Sequence, residues 1–174
     1  MTAADAGLVA ALHAASWRSA YRGILDDAYL DGPVDADLGD LWVTRLASPA
    51  PGASGCIAEL ESGAAGFAYA VADADAALGT LLDNLHVAPP ARGGGIGRAL
   101  LGVVARGVLA RGGARGLFLH VYDANTRARA FYARHGARAV AREVRVGADG
   151  RALAAWTYAW DDVAALAGSA SSAR

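Results

Sequence analysis

No stretch of this chain constrains its folding more than Leu81 to Arg111. Leu81-Leu82-Asp83-Asn84-Leu85-His86-Val87 is apolar and strand-like, Arg92-Gly93-Gly94-Gly95-Ile96-Gly97 follows, and Arg98 through Arg111 is a strong helix former. A strand, a glycine turn and a helix start in that order build a site for an anion. The first turn of a helix carries N–H groups without intrahelical partners, and the macrodipole favours negative charge there. Glycine lets the main chain approach a phosphate with no side chain in the way. The expected ligand is therefore phosphorylated.

A Walker loop needs Lys-Ser/Thr after its glycines, and this chain has no lysine: all 16 basic residues are arginine. A dinucleotide fingerprint is a closer competitor. Gly95-Ile96-Gly97 precedes a helix, and Asp123 ends the next strand at about the distance expected of a ribose-binding acid. Two details oppose it. Leu100 occupies the third glycine position, and Ala88-Pro89-Pro90-Ala91-Arg92 separates the strand from the glycines.

Leu85-x-Val87-x-Pro89 followed by Arg92-x-x-Gly95-x-Gly97 resembles motif A of the GNAT superfamily of N-acetyltransferases. A second block, Asn125-x-x-Ala128-x-x-Phe131-Tyr132-x-x-x-Gly136, resembles the family's Asn-x-x-Ala-x-x-Phe-Tyr-x-x-x-Gly motif. The two stand in the family's order and spacing, and the resemblance runs from the first helix to about Trp160. It implies an α/β fold with a mixed, splayed central sheet flanked by helices. Only Met1-Thr2-Ala3-Ala4 precedes Asp5, so the family's first strand is expected to be short or missing, and Ala137 stands where an aromatic is frequent.

The resemblance also implies a co-substrate, acetyl-coenzyme A, and no metal. In the family the loop amides, here from Arg92, Gly93, Gly94, Gly95, Ile96, Gly97 and Arg98, hold the pyrophosphate. The main chain of Leu85, His86 and Val87 falls where a bulged strand meets the pantetheine arm, with the Val87 N–H as candidate donor to the thioester oxygen. Tyr132 is the expected general acid, because a phenol is roughly matched to a departing thiolate; an aromatic packed in the core is the alternative. Asn125 is expected to cap its helix, and its amide to reach the pantetheine. The residues leave the general base open among Asp83, His86, Asp26, Asp27 and a relayed water. Side chains alternate faces along the strand, so Asp83 and His86 cannot both point at the same pocket. Trp17, Tyr21 and Asp83 are candidates for the acceptor side, with Arg18 or Arg22 pairing an acceptor carboxylate; equally, Trp17 and Tyr21 share one helix face and can pack inward. A non-catalytic acetyl-coenzyme A sensor and a nucleotide-dependent oxidoreductase are the competing function classes.

Composition suits one domain, residues 1–162, followed by a disordered small-residue tail, 163–174. A net charge of −1 with interspersed signs argues against nucleic-acid and polybasic membrane partners. The expected partner is a small-molecule or peptide amine, together with a second copy of the chain if the edge left by a missing first strand is open. Cys56 is the single cysteine, which excludes an internal disulfide; it sits in an apolar run as a structural thiol. With Asp5 near its start and no basic segment there, the chain reads as cytoplasmic.

Periodicity and punctuation predict helices over 5–22, 35–46, 98–111 and from Asn125 to Gly136. Leu8, Leu12, Ala15 and Trp17 form the expected apolar side of the first. Strands are predicted over 55–60, 66–74, 80–87 and 117–121, with a closing hairpin of 139–146 and 153–160 around Asp149-Gly150.

Overall fold

The computed structural model describes residues 1–112 and 116–168. Helices α1 (Ala6–Ala20), α2 (Asp27–Asp31) and α3 (Val34–Ala47) precede an antiparallel meander of β1 (Ala53–Leu60), β2 (Gly63–Asp75) and β3 (Gly79–Val87). Helix α4 (Ile96–Ala110) then crosses to β4 (Leu117–Tyr122), α5 (Thr126–Arg134) leads to the hairpin β5 (Arg138–Val146) and β6 (Ala152–Trp160), and α6 (Val163–Gly168) follows. The strands form one sheet in the order β1-β2-β3-β4-β6-β5, with β3 and β4 parallel and every other pair antiparallel.

The sheet separates two cores. On one face α4, α5 and α6 bury Leu100, Leu101, Ala105 and Tyr132 against Leu117, Leu119 and Trp160. On the other, α1 and α3 bury Val9, Ala10, Leu38 and Trp42 against Phe67 and Tyr69. Side chains of alternate strand residues feed the two cores, which is why β2 and β4 read as continuous apolar runs.

Some expectations are corrected. Leu8 is 43% exposed and Ala15 is exposed, while Val9, Ala10, His13 and Ala14 face the core. Helix α1 is mostly alanine and small apolar residues, so its periodicity defines no single face; burial of His13 is tolerated because its Nδ1 accepts the Trp42 Nε1–H at 3.0 Å. Helix α2, absent from the sequence reading, starts where the Asp26 carboxylate accepts the Ala28 N–H at 2.8 Å. Residues 163–168 are not tail: Val163 and Leu166 are buried in the α4 core. The expected tail from 169 to 174 lies outside the described residues. No strand precedes α1, and β1 is a sheet edge, beside which the Met1 ammonium donates to the Gly55 carbonyl at 3.0 Å. No helix among the described residues is long and apolar enough to cross a membrane.

Candidate active site

Strands β3 and β4 pair only at Thr80–Leu117 and Leu81–Phe118, then part. The reason lies in β3. Opposite β2, Ala70 faces Leu82 and Tyr69 faces Asn84, so Asp83 is an extra residue, a bulge. Before it, the Thr80 N–H points toward β4 and meets the Gly116 carbonyl at 3.0 Å. After it, the Ala88 N–H points toward β2 and meets the Ala65 carbonyl at 2.8 Å. Period-two pairing then assigns the main-chain groups of His86 and Asn84 to β2 and turns those of Leu85 and Val87 toward the gap. One inserted residue thus turns the N–H and C=O of Leu85 and the N–H of Val87 toward the splay without a strand partner, while the Val87 carbonyl accepts from Arg92.

The gap widens into a cleft of about 530 Å³. Leu85, Val87, Asp83 and His86 line it from β3, Leu119, His120 and Val121 from β4, and Asn125, Ala128, Phe131 and Tyr132 from the start and body of α5. Its other end is the glycine loop. Gly93 and Gly95 have φ of 89° and 82°, and a Cβ on either would meet no atom within 4 Å. Their surfaces are therefore open, and Gly95 caps α4 in the left-handed conformation. Arg98, Arg127 and Arg134 line the cleft as well, and among the described residues none of the three pairs with a carboxylate. A helix N-terminus, open glycine amides and three uncompensated guanidinium groups suit a polyphosphate.

Over residues 11–137 the sequence matches the family model of the acetyltransferase (GNAT) family. The chain belongs to that family. A GCN5-related N-acetyltransferase from Rhodopseudomonas palustris is 25% identical, with a TM-score of 0.71 over 90% of this chain and 89% of that one. An acetyltransferase from Thermus thermophilus is also 25% identical, at a TM-score of 0.62 over 90% and 92%. The PaiA N-acetyltransferase of Thermoplasma acidophilum, solved with coenzyme A, shares the fold at 17% identity and a TM-score of 0.65, over 89% and 94%. No curated protein sequence matches significantly. The GNAT chain is accordingly an N-acetyltransferase, and its mixed, splayed sheet is the family's.

The GNAT cleft gathers most of the residues singled out in the sequence. Trp17 and Gly94 are outside its lining. The Trp17 ring packs edge-on against His13 and Tyr21 at 4.7 and 5.5 Å, the inward alternative. Tyr21 does line the cleft, with its phenol pushed up by burial. Arg18 is spent on Asp35 and on the Leu30 carbonyl, and Arg22 on Asp31, so both tie α1 to α2 and α3 instead of facing an acceptor. Arg92 is likewise committed: its Nε donates to the Val87 carbonyl at 3.1 Å and its NH1 to Ser19 Oγ at 2.8 Å, which staples the loop to β3 and α1. Asn125 caps α5 through Oδ1, 3.1 Å from the Ala128 N–H, which leaves its Nδ2 for a ligand.

Asp83 and His86 both reach the cleft, against the alternation argument, because the bulge shifts the phase between them. His86 is held by Ser16 Oγ at 3.0 Å from its Nδ1, and burial pushes its pKa down to about 3. Asp26 caps α2, and Asp27 faces Arg22 at 3.4 Å. Asp123 does not offer a ribose acid: its oxygens take Arg129 NH1 at 2.6 Å, Arg142 NH2 at 2.7 Å and Trp156 Nε1 at 2.9 Å. His120, Arg127 and Arg134 were not anticipated. Only their neighbours in sequence, the strand 117–121 and the Asn125 motif, pointed near them.

Substituting Gly95 by Ala forces a side chain into the left-handed region, at a cost of about 1–2 kcal/mol. The expected result is a modest fall in melting temperature together with weaker binding of a coenzyme A ligand, read by calorimetry. Unchanged affinity in Gly95→Ala would show that the loop conformation does not set binding.

Proposed function

We propose that this enzyme moves an acetyl group from acetyl-coenzyme A to a primary amine by direct attack in a ternary complex. The observation that carries the reading is the phase switch at Asp83, which points the Leu85 and Val87 main chain into a gap ending at the α4 N-terminus. Acetyl-coenzyme A supplies an acetyl thioester with a good thiolate leaving group. The chain's own groups do the rest. Amides of Gly93, Gly95 and the first turn of α4, with Arg98, Arg127 and Arg134, bind phosphate oxygens. The exposed N–H and C=O of Leu85 and the N–H of Val87 bind an extended amide-bearing arm as a neighbouring strand would, the Val87 carbonyl being taken by Arg92. The Val87 N–H, or the Leu85 N–H beside it on the same edge, stabilises negative charge on the thioester oxygen. Asn125 Nδ2 steadies the arm. Tyr132, buried at the inner wall with its phenol raised by desolvation, stays protonated and donates to the departing sulfur.

A thermal-shift titration with acetyl-coenzyme A, with NAD and NADP as controls, tests the ligand. At a hundredfold excess over Kd the folded state gains about 2.7 kcal/mol, or a rise of roughly 5–10 °C for a chain of this size. Stabilisation by a dinucleotide and not by acetyl-coenzyme A would overturn the reading. Release of free thiol on adding an amine panel then separates turnover from mere sensing.

A further inference from the structure

The four histidines have different surroundings. His13 is buried against Trp42, His86 is held by Ser16, and the His135 Nδ1–H donates to the Phe131 carbonyl at the C-terminal end of α5. His120 stands on β4 just beyond the last residue paired to β3, and it lines the cleft at the mouth of the splay. Its Nδ1 lies 3.0 Å from Thr157 Oγ1 and 3.6 Å from Glu143 Oε1. Thr157 Oγ1 can accept a proton from Nδ1 and the Glu143 carboxylate beside it favours one there, so the assigned tautomer carries its proton on Nδ1. That leaves the Nε2 lone pair as the free end of the ring. Asp83, the alternative at this point, is already engaged: its Oδ2 accepts from Arg45 NH1 at 2.5 Å and from Asn84 Nδ2 at 2.8 Å.

We propose that His120 is the general base, accepting the acceptor's ammonium proton at Nε2 while Thr157 and Glu143 hold the ring. The assignment rests on the acetyl-transfer reading above. An alkylammonium gives one proton to Nε2, and the neutral amine attacks the thioester carbon. The C–N bond forms, the C–S bond breaks, and the thiolate takes the Tyr132 phenolic proton. The second amine proton returns to the Tyr132 oxygen, and the imidazolium releases its proton to solvent. The charged and titratable groups near His120 are Glu143 and Arg145 from β5 and Asp83 from β3, with Tyr21 lining the cleft from the end of α1. Burial and Arg145 lower the imidazole below its ordinary value, while Glu143 and Asp83 oppose them, so the ring is neutral and competent at pH 7.

The test compares the full-length chain with His120→Gln and Glu143→Gln, using acetyl-coenzyme A and tyramine, spermidine, an alanyl peptide and aniline as acceptors. Aniline is already neutral at pH 7 and needs no base. For alkylamines His120→Gln is expected to lower kcat/KM by roughly 10²-fold or more and to abolish the acidic limb below about pH 6.5. Aniline turnover and the acetyl-coenzyme A thermal shift stay near wild type. Glu143→Gln, losing the carboxylate that raises the imidazole, moves the limb to lower pH. Equal losses with alkylamines and aniline, or a limb unchanged in His120→Gln, overturn the assignment alone. No wild-type turnover of any alkylamine overturns the transfer reading, and the base with it.

Discussion

Tyr132→Phe is expected to bind acetyl-coenzyme A as the wild type does and to turn it over roughly 10²–10³-fold more slowly. The substitution removes one hydroxyl and little else. The ring, 9% exposed, packs edge-on against Phe131 at 5.3 Å and Trp160 at 5.9 Å, and Phe keeps both contacts. Desolvation raises the phenol above its usual range. A higher pKa would weaken an acid facing a thiolate in water, but a thiolate leaving inside the same dry cleft is raised by the same desolvation. Proton transfer between them stays near balance. Steady-state kinetics with a thiol reagent, alongside the thermal shift, separates chemistry from binding. A variant that binds normally and keeps the full kcat removes Tyr132 from the mechanism.

Trp42→Ala is expected to cost about 3–5 kcal/mol, a large share of the ~5–15 kcal/mol available to a domain. Trp42 is fully buried, edge-on to Phe67 at 5.3 Å and to Tyr69 at 5.4 Å. Its Nε1–H satisfies His13 Nδ1, and Arg45 lies 5.1 Å over its ring. Truncation opens a cavity and leaves His13 with neither nitrogen bonded, since its Nε2 is already a buried atom without a partner. It also frees Arg45, which holds the Asp83 bulge, so binding should weaken along with stability. Trp42→Phe keeps most of the ring and loses chiefly the hydrogen bond, about 1–3 kcal/mol. Urea unfolding with an unchanged slope reads both. An alanine variant within 1 kcal/mol of wild type would mean that this core relaxes around the gap.

Local signals served the elements well wherever one residue type has one physical use. Glycines 93, 94, 95 and 97 marked the turn, Asn125 marked a cap, and Gly136, at φ 84°, marked the end of α5. They failed where the signal was degenerate. An alanine-rich α1 presents no unique apolar stripe, so its buried face is set by partners such as Trp42 and Phe67. The five-residue α2 is too short for periodicity to show. Small residues from 163 onward read as a tail, yet two of them, Val163 and Leu166, are enough to dock α6 on α4.

The sequence by itself determined the kind of ligand, through the glycine loop, the missing lysine and the Asn-to-Gly helix motif. The loop and the helix motif act through backbone within a few residues of themselves, and the missing lysine removes a side chain that a Walker loop needs. Only the tertiary structure decided which groups face that ligand. The bulge at Asp83 is defined against β2, because an extra residue exists only relative to a partner strand, and it chooses Leu85 and Val87 over His86. Arg92 entered only through its loop amide, and the tertiary structure gave its side chain a separate task, bonding Ser19 of α1 and the Val87 carbonyl of β3. His120 looked like an ordinary strand residue until Glu143 and Thr157, 23 and 37 positions further along, closed on its Nδ1. Side-chain roles depend on neighbours distant in sequence, and a single chain read in order does not contain those distances.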